Sequence, residues 1–320
     1  MSVESSENTQ IQLNAQVDAR YSGKRFDQVA AELFPDYSRA RIQAWIKLGE
    51  LTVNGGIAKP NAKLIGGERL ILDTILQSEN VWQAENISLD IVYEDQDIIV
   101  INKPVGLVVH PAAGNWSGTV LNALLFHYPM IHEVPRAGIV HRLDKDTSGL
   151  MVVAKTIEAQ TKLVAQLQEK SVYREYFAIV HGVPPKTGMV DAAIGRHPTV
   201  RTKMAVLNNG GKAAVTHYAL LSKNEHVAAI KLQLETGRTH QIRVHMAHLG
   251  YPLIGDQVYG KVLNKKAVKH FPELEWAASF PRQALHARKL GLVHPRTKND
   301  MTFEAPLPDD LLDLQQQLFG

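Results

Sequence analysis

The sequence predicts an α+β protein in two parts, a small α/β unit followed by a larger domain built on a mixed, largely antiparallel sheet. Three observations carry this. The 320 residues exceed the usual size of a single core. Two stretches of helical period within the first fifty residues lead into short strand patterns. From residue 89 onward, strand patterns follow one another in runs with few helices between them, whereas a doubly wound sheet would need regular alternation of strand and helix.

Residues 1–17 are polar and offer little apolar surface to offset the entropy of ordering, so they are expected to form a flexible N-terminus. In GKRFDQVAAELF, Phe26, Val29, Ala30 and Leu33 recur at helical spacing until Pro35 stops them. A second helix follows in SRARIQAWIKLGE, with Ser38 as N-cap, Ile42, Trp45 and Ile46 as its apolar stripe and Gly49 as its C-terminal cap. LTVNGG then carries a turn signal at Asn54-Gly55, and the second half of KLIGGERLILD alternates as a strand does. This helix pair with its hairpin fills residues 18–76. Residues 77–88 are polar and aperiodic, which predicts a linker.

The second domain, 89–320, holds the strand patterns LDIVYEDQDIIVINKP, AGIVHRLDKDTSGLMVVAK, REYFAIVHG, VTHYALLSK and HVAAIKLQLETG. Helices are expected near IEAQTKLVAQLQEK, after Gly237 and over PLPDDLLDLQQQLF. In the second pattern, one strand is placed at Ile139 and another at Leu150, with a turn between them.

Composition narrows the function classes. There is no cysteine, hence no disulfide framework, thiolate nucleophile or cysteine-ligated metal site. MSVESSENTQIQLNAQ has neither a basic start nor an apolar run, and no stretch approaches the length needed to cross a bilayer, so a cytoplasmic protein without membrane contact is expected. No G-x-G-x-x-G and no P-loop is present, which leaves nucleotide cofactors unsupported. A net charge of +3 does not identify a nucleic-acid partner by itself. Its distribution is more telling, because Arg39, Arg41, Lys47, Lys59 and Lys63 face the single acid Glu50 between Ser38 and Lys63.

Residues 144–149, DKDTSG, begin like a calcium loop, with Asp144, Asp146 and Ser148 at alternate positions before Gly149. The match then fails. Lys155 stands where a bidentate glutamate is needed, and Leu150 to Val153 form an apolar strand. The bland reading makes Asp146, Thr147 and Ser148 a turn, with Gly149 supplying backbone freedom. Asp144 differs, since it follows a buried-looking strand on which a side chain can be held toward a cleft, and an ionised carboxylate needs no separate base to act as a nucleophile. His240, His245 and His248 invite a zinc reading, but no H-E-x-x-H or neighbouring acid completes a site and His240 is off the face that His245 and His248 share. No metal site is expected.

HRLDKDTSGLMVVAK resembles the signature of the pseudouridine synthases that modify large-subunit ribosomal RNA, the synthase A-like branch. NKPVGLVVHP resembles that family's Lys-Pro-x-Gly segment, REYFAIVHG its tyrosine-bearing segment and LETGRTHQIRVHMAHLGYPLIGD its arginine-bearing segment. Residues 18–76 resemble an S4-type RNA-binding domain, so the likeness spans roughly residues 18–310. The resemblance implies a catalytic domain of pseudouridine synthase fold and an isomerase acting on uridines of 23S rRNA, in the helix 69 stem-loop, with 23S rRNA or the precursor large subunit as partner, a monomeric state and no cofactor. It implies Asp144 as nucleophile, Tyr176 as the ring stacked on the target uracil, Arg243 as the arginine paired with the carboxylate, and Arg142 as the side chain entering the gap the flipped base leaves. Tyr173 is the rival to Tyr176, which fits the basic-x-Tyr spacing better.

The chemistry needs such a set. A stacked uracil must be flipped out at a cost of a few kcal/mol, about 1 to 3 kcal/mol of which an aromatic platform returns. The reaction breaks C1′–N1 and rejoins the base through C5 with no change in atom count, whether the carboxylate attacks C1′, attacks C6 or abstracts the C2′ proton. Under the same resemblance Arg39, Arg41, Lys47 and Lys59 become an RNA-facing patch, and Arg196, Arg201 and Lys203 in GRHPTVRTKMAVLNNGGK a second contact. Lys103 is expected either to support the bend at Pro104 or to touch phosphate; His286 receives no role. The rival classes are a non-catalytic rRNA-binding or assembly protein and a metal-dependent RNA hydrolase.

Overall fold

Ile11, Leu13 and Ala15 alternate with polar residues in QIQLNAQV, and a period of two is the pattern of a half-buried strand. In the computed structural model, which describes residues 9–35, 37, 39–76, 82–112, 115–200, 202–260 and 273–320, these residues form strand β1 (Thr9–Gln16). The expected flexible N-terminus is therefore wrong over residues 9–16: apolar alternation outweighs overall polarity, because only one face of the strand has to be covered. Helices α1 (Phe26–Leu33) and α2 (Arg39–Leu48) follow, then β2 (Leu51–Val53) and β3 (Arg69–Leu76). The three strands form an antiparallel sheet in the order β1-β3-β2, with Ile11, Leu13 and Ala15 against a core that includes Phe26, Ile42, Ile46 and Leu72. Each of those four side chains is fully buried, worth about 1.5–3 kcal/mol apiece. Asn54 and Gly55 both take positive φ, and Val53 and Gly56 exchange backbone hydrogen bonds at 2.9 Å, the turn that the Asn-Gly pair predicts. The expected N-cap Ser38 lies outside the described residues.

The chain divides into two units at residues 81 and 82. Of the expected linker, residues 77–81 lie outside the described residues, and 82–88 belong to the second unit. Trp82 packs on its core, Glu85 N–H donates to Asn122 O at 3.0 Å, and Asn122 donates to Gln83 O at 2.8 Å.

The second unit runs β4 (Ile91–Glu94), β5 (Ile98–Lys103), α3 (Val120–His127), β6 (Ser148–Ala154), α4 (Ile157–Gln168), β7 (Tyr173–His181), β8 (Thr187–Asp191), β9 (Ile194–Arg196), β10 (Met204–Val206), β11 (Val215–Lys223), β12 (Val227–Leu234), α5 (Gln241–His248), α6 (Glu273–Ser279), β13 (Leu285–Val293), β14 (Asp300–Glu304) and α7 (Asp309–Phe319). Among the described residues a nine-stranded sheet has the order β4-β5-β6-β13-β7-β12-β11-β8, with β14 paired to β13; only β6 and β13 are parallel. β9 and β10 form a separate hairpin. Helix α3 was not legible as a helix. Its residues VLNALLFH are apolar nearly all round, so no stripe marks them, and the sign of its start is the Thr119–Asn122 capping box.

The expected strand at Ile139 reduces to a single bridge to Val153, and residues 140–147 have no ladder. The reason is local: the His141 ring accepts the Val152 N–H at 3.1 Å, so a side chain occupies the donor that a neighbouring strand would use. Arg142 and Asp144 consequently sit on an irregular loop, not on one face of a strand. Among the described residues no helix is long and apolar enough to cross a membrane.

Candidate active site

The loop that carries Asp144 is fixed from both sides. Thr147 N–H donates to Asp144 O at 3.1 Å and closes a turn leading into β6. Gly149, at φ +113, follows in β6; a Cβ there would lie 2.2 Å from Ala287 O, so only glycine lets β6 approach β13. On one side stands Lys103, fully buried at the end of β5, whose Nζ donates to the carbonyls of Pro104, Leu107 and Lys145 at 2.7, 2.9 and 3.0 Å. Burial pushes this ammonium down to about 7, against the pull of Asp146 and Asp144, while three carbonyl acceptors match its three protons. With all three donors engaged inside the fold, Lys103 braces the loop; the alternative of a phosphate contact does not hold. On the other side Arg282 donates to Asp146 O at 3.3 Å and Gln283 to Thr147 Oγ1 at 3.1 Å. His286, without a role from sequence, lies 2.9 Å from Ser148 Oγ through Nδ1.

Leu143 is buried and anchors the loop, Arg142 before it is exposed, and Asp144 after it is half-buried. Helix α5 brings up the counter-charge. Arg243 Nη1 donates to Asp144 Oδ2 at 2.9 Å, while Nε and Nη2 donate to Asp256 Oδ2 and Oδ1 at 2.8 and 2.9 Å. Burial works against the Arg243 guanidinium, but the hydrogen bonds and charge of Asp256, with the charge of Asp144, outweigh it and raise its pKa. Burial pushes the Asp256 carboxyl up, but Arg243 with the N–H groups of Tyr259 and Val258 pulls it down by more, so the net direction is down. Asp256 was missed in the sequence, where it is one acid at the end of L-I-G-D; only its bidentate grip on Arg243 reveals it.

Tyr176, on β7 and 7% exposed, lines the same cavity as Asp144 and Arg243. Burial raises its phenol pKa; Arg174 opposes this and Asp144 adds to it. Tyr173, the rival, is bonded through its hydroxyl to Glu175 and does not line the cavity. The cavity measures about 540 Å³ and includes Arg142 and His240 in its wall, enough for a nucleoside-sized ligand. The structure thus brings Asp144, Tyr176, Arg243 and Arg142 together at one opening.

The remaining expected contacts stand elsewhere. Arg196 is exposed at the end of β9, and Lys203 donates to Val258 O at 2.9 Å, so its ammonium supports the fold; Arg201 lies outside the described residues. In the first unit Lys47 and Lys59 are exposed, and Arg41 lies over the Trp45 ring. Arg39 is engaged with the buried Asp27 at 2.9 Å. Burial raises the Asp27 carboxyl, but hydrogen bonds from Arg39, Arg25 and Gln43 prevail and hold it at about 2.

The histidines do not form a zinc site: both ring nitrogens of the buried His245 are engaged, with Thr216 Oγ1 and Ala192 O at 2.9 Å. His240 instead faces Asp144 at 3.9 Å. Among the described residues one cluster has metal-ligand spacing, Asp95, Asp97 and His294, but Arg296 fills Asp97 with two hydrogen bonds and His294 Nε2–H donates to Asp95 Oδ2 at 2.8 Å, so a cation would have to displace both.

The RNA pseudouridylate synthase family matches residues 97–248, which contain Asp144, Tyr176 and Arg243, and the S4 domain family matches residues 24–70. The chain is 55% identical over 302 residues to ribosomal large subunit pseudouridine synthase D of Pseudomonas aeruginosa, with 94% of each chain covered. It is 54% identical over 312 residues to the protein of the same name in Pasteurella multocida, covering 97% of this chain and 95% of that one. Among solved structures, human RNA pseudouridylate synthase domain containing 4 superposes with a TM-score of 0.56 at 28% identity, over 71% of this chain and 92% of that one. With 94% or more of its length aligned to these relatives at more than one identical residue in two, the chain belongs to the RNA pseudouridine synthases that carry an N-terminal S4 domain.

Proposed function

We propose that this enzyme isomerises uridine to pseudouridine in the 23S RNA of the large ribosomal subunit, in the helix 69 stem-loop, with Asp144 as nucleophile toward a flipped-out nucleotide. The observation that carries the reading is the Asp256–Arg243–Asp144 array opening on a cavity walled by Tyr176. Asp256 holds two guanidinium nitrogens and leaves the third for Asp144, so the carboxylate is oriented by a part that does not depend on substrate. The Tyr176 ring supplies a face for the uracil, and Arg142, exposed beside the opening, supplies a planar cation for the vacated stack. The C1′–N1 bond breaks, the base turns within the cavity, C1′–C5 forms, C5 gives up its proton and N1 takes one up. No atom is added or lost, so the residues named are sufficient in kind.

The first unit adds affinity for structured RNA through Lys47, Lys59 and Arg41, and the β9–β10 hairpin adds Arg196. The protein acts as a monomer in the cytoplasm, on free 23S rRNA or a precursor subunit. Chemical mapping of pseudouridine across rRNA from cells lacking the protein, complemented with wild type or Asp144→Asn, tests the substrate. Helix 69 uridines should be unmodified in the mutant cells and restored by wild type alone. An unchanged map removes the assignment.

A further inference from the structure

His240 stands in the cavity wall and takes no part in the reaction as proposed. It caps α5 in left-handed backbone, φ 55 and ψ 23, a conformation costing a non-glycine residue about 1 kcal/mol or more. Its Nε2 is 3.9 Å from Asp144 Oδ1, too long for a hydrogen bond. The other nitrogen, Nδ1, is 2.8 Å from the Tyr259 hydroxyl, which already accepts the Met204 N–H at 2.9 Å. The phenol proton is what Tyr259 has left to give, and His240 Nδ1 is the acceptor at hand. Assigned from this network, the ring is the tautomer with its proton on Nε2, on the side of Asp144. Burial lowers the imidazole's affinity for a second proton, with Arg243 and Arg142 acting the same way and Asp144 and Asp256 opposing, so a neutral donor faces the carboxylate.

We infer that His240 is a substrate-contacting residue, whose Nε2–H donates to a carbonyl oxygen of the uracil held at Asp144. The inference rests on the proposed isomerisation. There the C1′–N1 bond breaks with its electron pair leaving on the base, C1′–C5 forms, the C5 proton is released and N1 takes one up. While the base is detached, its negative charge is spread onto O2 and O4, acceptors that match a ring presenting one N–H and no lone pair. A neutral imidazole stabilises that charge without surrendering its proton. The left-handed backbone and the Tyr259 hydrogen bond are what aim the donor.

Single-turnover pseudouridine formation tests this, using the full chain with His240→Ala, His240→Gln and Tyr259→Phe on an rRNA fragment carrying uridine, 2-thiouridine or 4-thiouridine at the target. On uridine RNA, His240→Ala should keep its RNA affinity and lose about 100-fold in rate. The glutamine amide should recover part of that, and Tyr259→Phe should lose several-fold. Sulfur accepts hydrogen bonds poorly, so the alanine penalty should nearly vanish on one of the two thio-RNAs. Wild-type rates for the Ala and Phe variants, or an alanine penalty equal on all three RNAs, would overturn the contact. If His240→Ala does not fold, the Gln and Phe variants make the same comparison against the thio-RNAs. Failure of the wild type itself to convert the uridine RNA would instead strike the isomerase reading beneath it.

Discussion

Asp144 and Asp256 differ in sequence only by context, yet one is half-buried at a cavity and the other buried behind it, both on the same guanidinium. That division sets distinct expectations. Asp256→Asn removes one charge-assisted partner of a buried arginine, at a cost of about 2 kcal/mol in stability. It should also lower kcat at least tenfold while leaving KM for RNA nearly unchanged, because Arg243 would no longer be fixed toward Asp144. A KM effect with normal kcat would contradict a positioning role. His286 offers a pH test. Its pKa is lowered to about 4, first by burial, from an ordinary value near 6.5. The unfolded chain therefore binds a proton between pH 6.5 and 4 that the folded chain refuses. Stability present above pH 6.5 is lost as pH falls toward 4, by up to about 1.4 kcal/mol per unit. Urea unfolding of His286→Gln should show a shallower loss between pH 7 and 4.5 than wild type. That Asp144, Tyr176 and Arg243 meet was legible because each stands in a long ordered stretch. Asp256 and His240 were not, since their significance arises from a hydrogen-bond partner and a backbone angle.

At the scale of elements, local periodicity was read well where one face is buried and the stripe is clear, as in α1 and α2, and a short apolar run buried on both faces was enough for β5. It failed where tertiary contacts decide. β1 was hidden by the polarity of its outer face, and α3 by the lack of any. The segment from Ile139 to Leu143 reads as strand on its apolar Ile139, Val140 and Leu143, but the His141 ring replaces its ladder. β1 yields an expectation opposite to that of a flexible tail. Deleting residues 1–17 removes Ile11, Leu13 and Ala15 from the first core and bares the edge of β3. The first unit should then unfold at markedly lower urea, with the second unit's transition unmoved; an unchanged transition for the first unit would show that β1 adds nothing to it.

For the whole molecule, the two units separate chemistry from a surface suited to RNA. Lys47 and Lys59 are exposed, whereas Arg39 is bonded to Asp27, so these cations should not behave alike. Lys47→Ala with Lys59→Ala should weaken RNA binding evenly across sequences and reduce the salt slope by about one unit for each phosphate that is no longer neutralised. Arg39→Ala should lower the stability of the first unit instead. Identical salt slopes for the double variant and wild type would remove the lysines from the interface. On the proposed mechanism the activity depends on the carboxylate in the second unit, and the most direct measurement is pseudouridine formed in purified 23S rRNA by wild type and by Asp144→Asn under single-turnover conditions, with RNA affinity measured in parallel. Wild type should convert its target uridines, and the asparagine variant should bind as tightly and form no product. Pseudouridine from Asp144→Asn at a rate near that of wild type would contradict the central role given to that one oxygen pair.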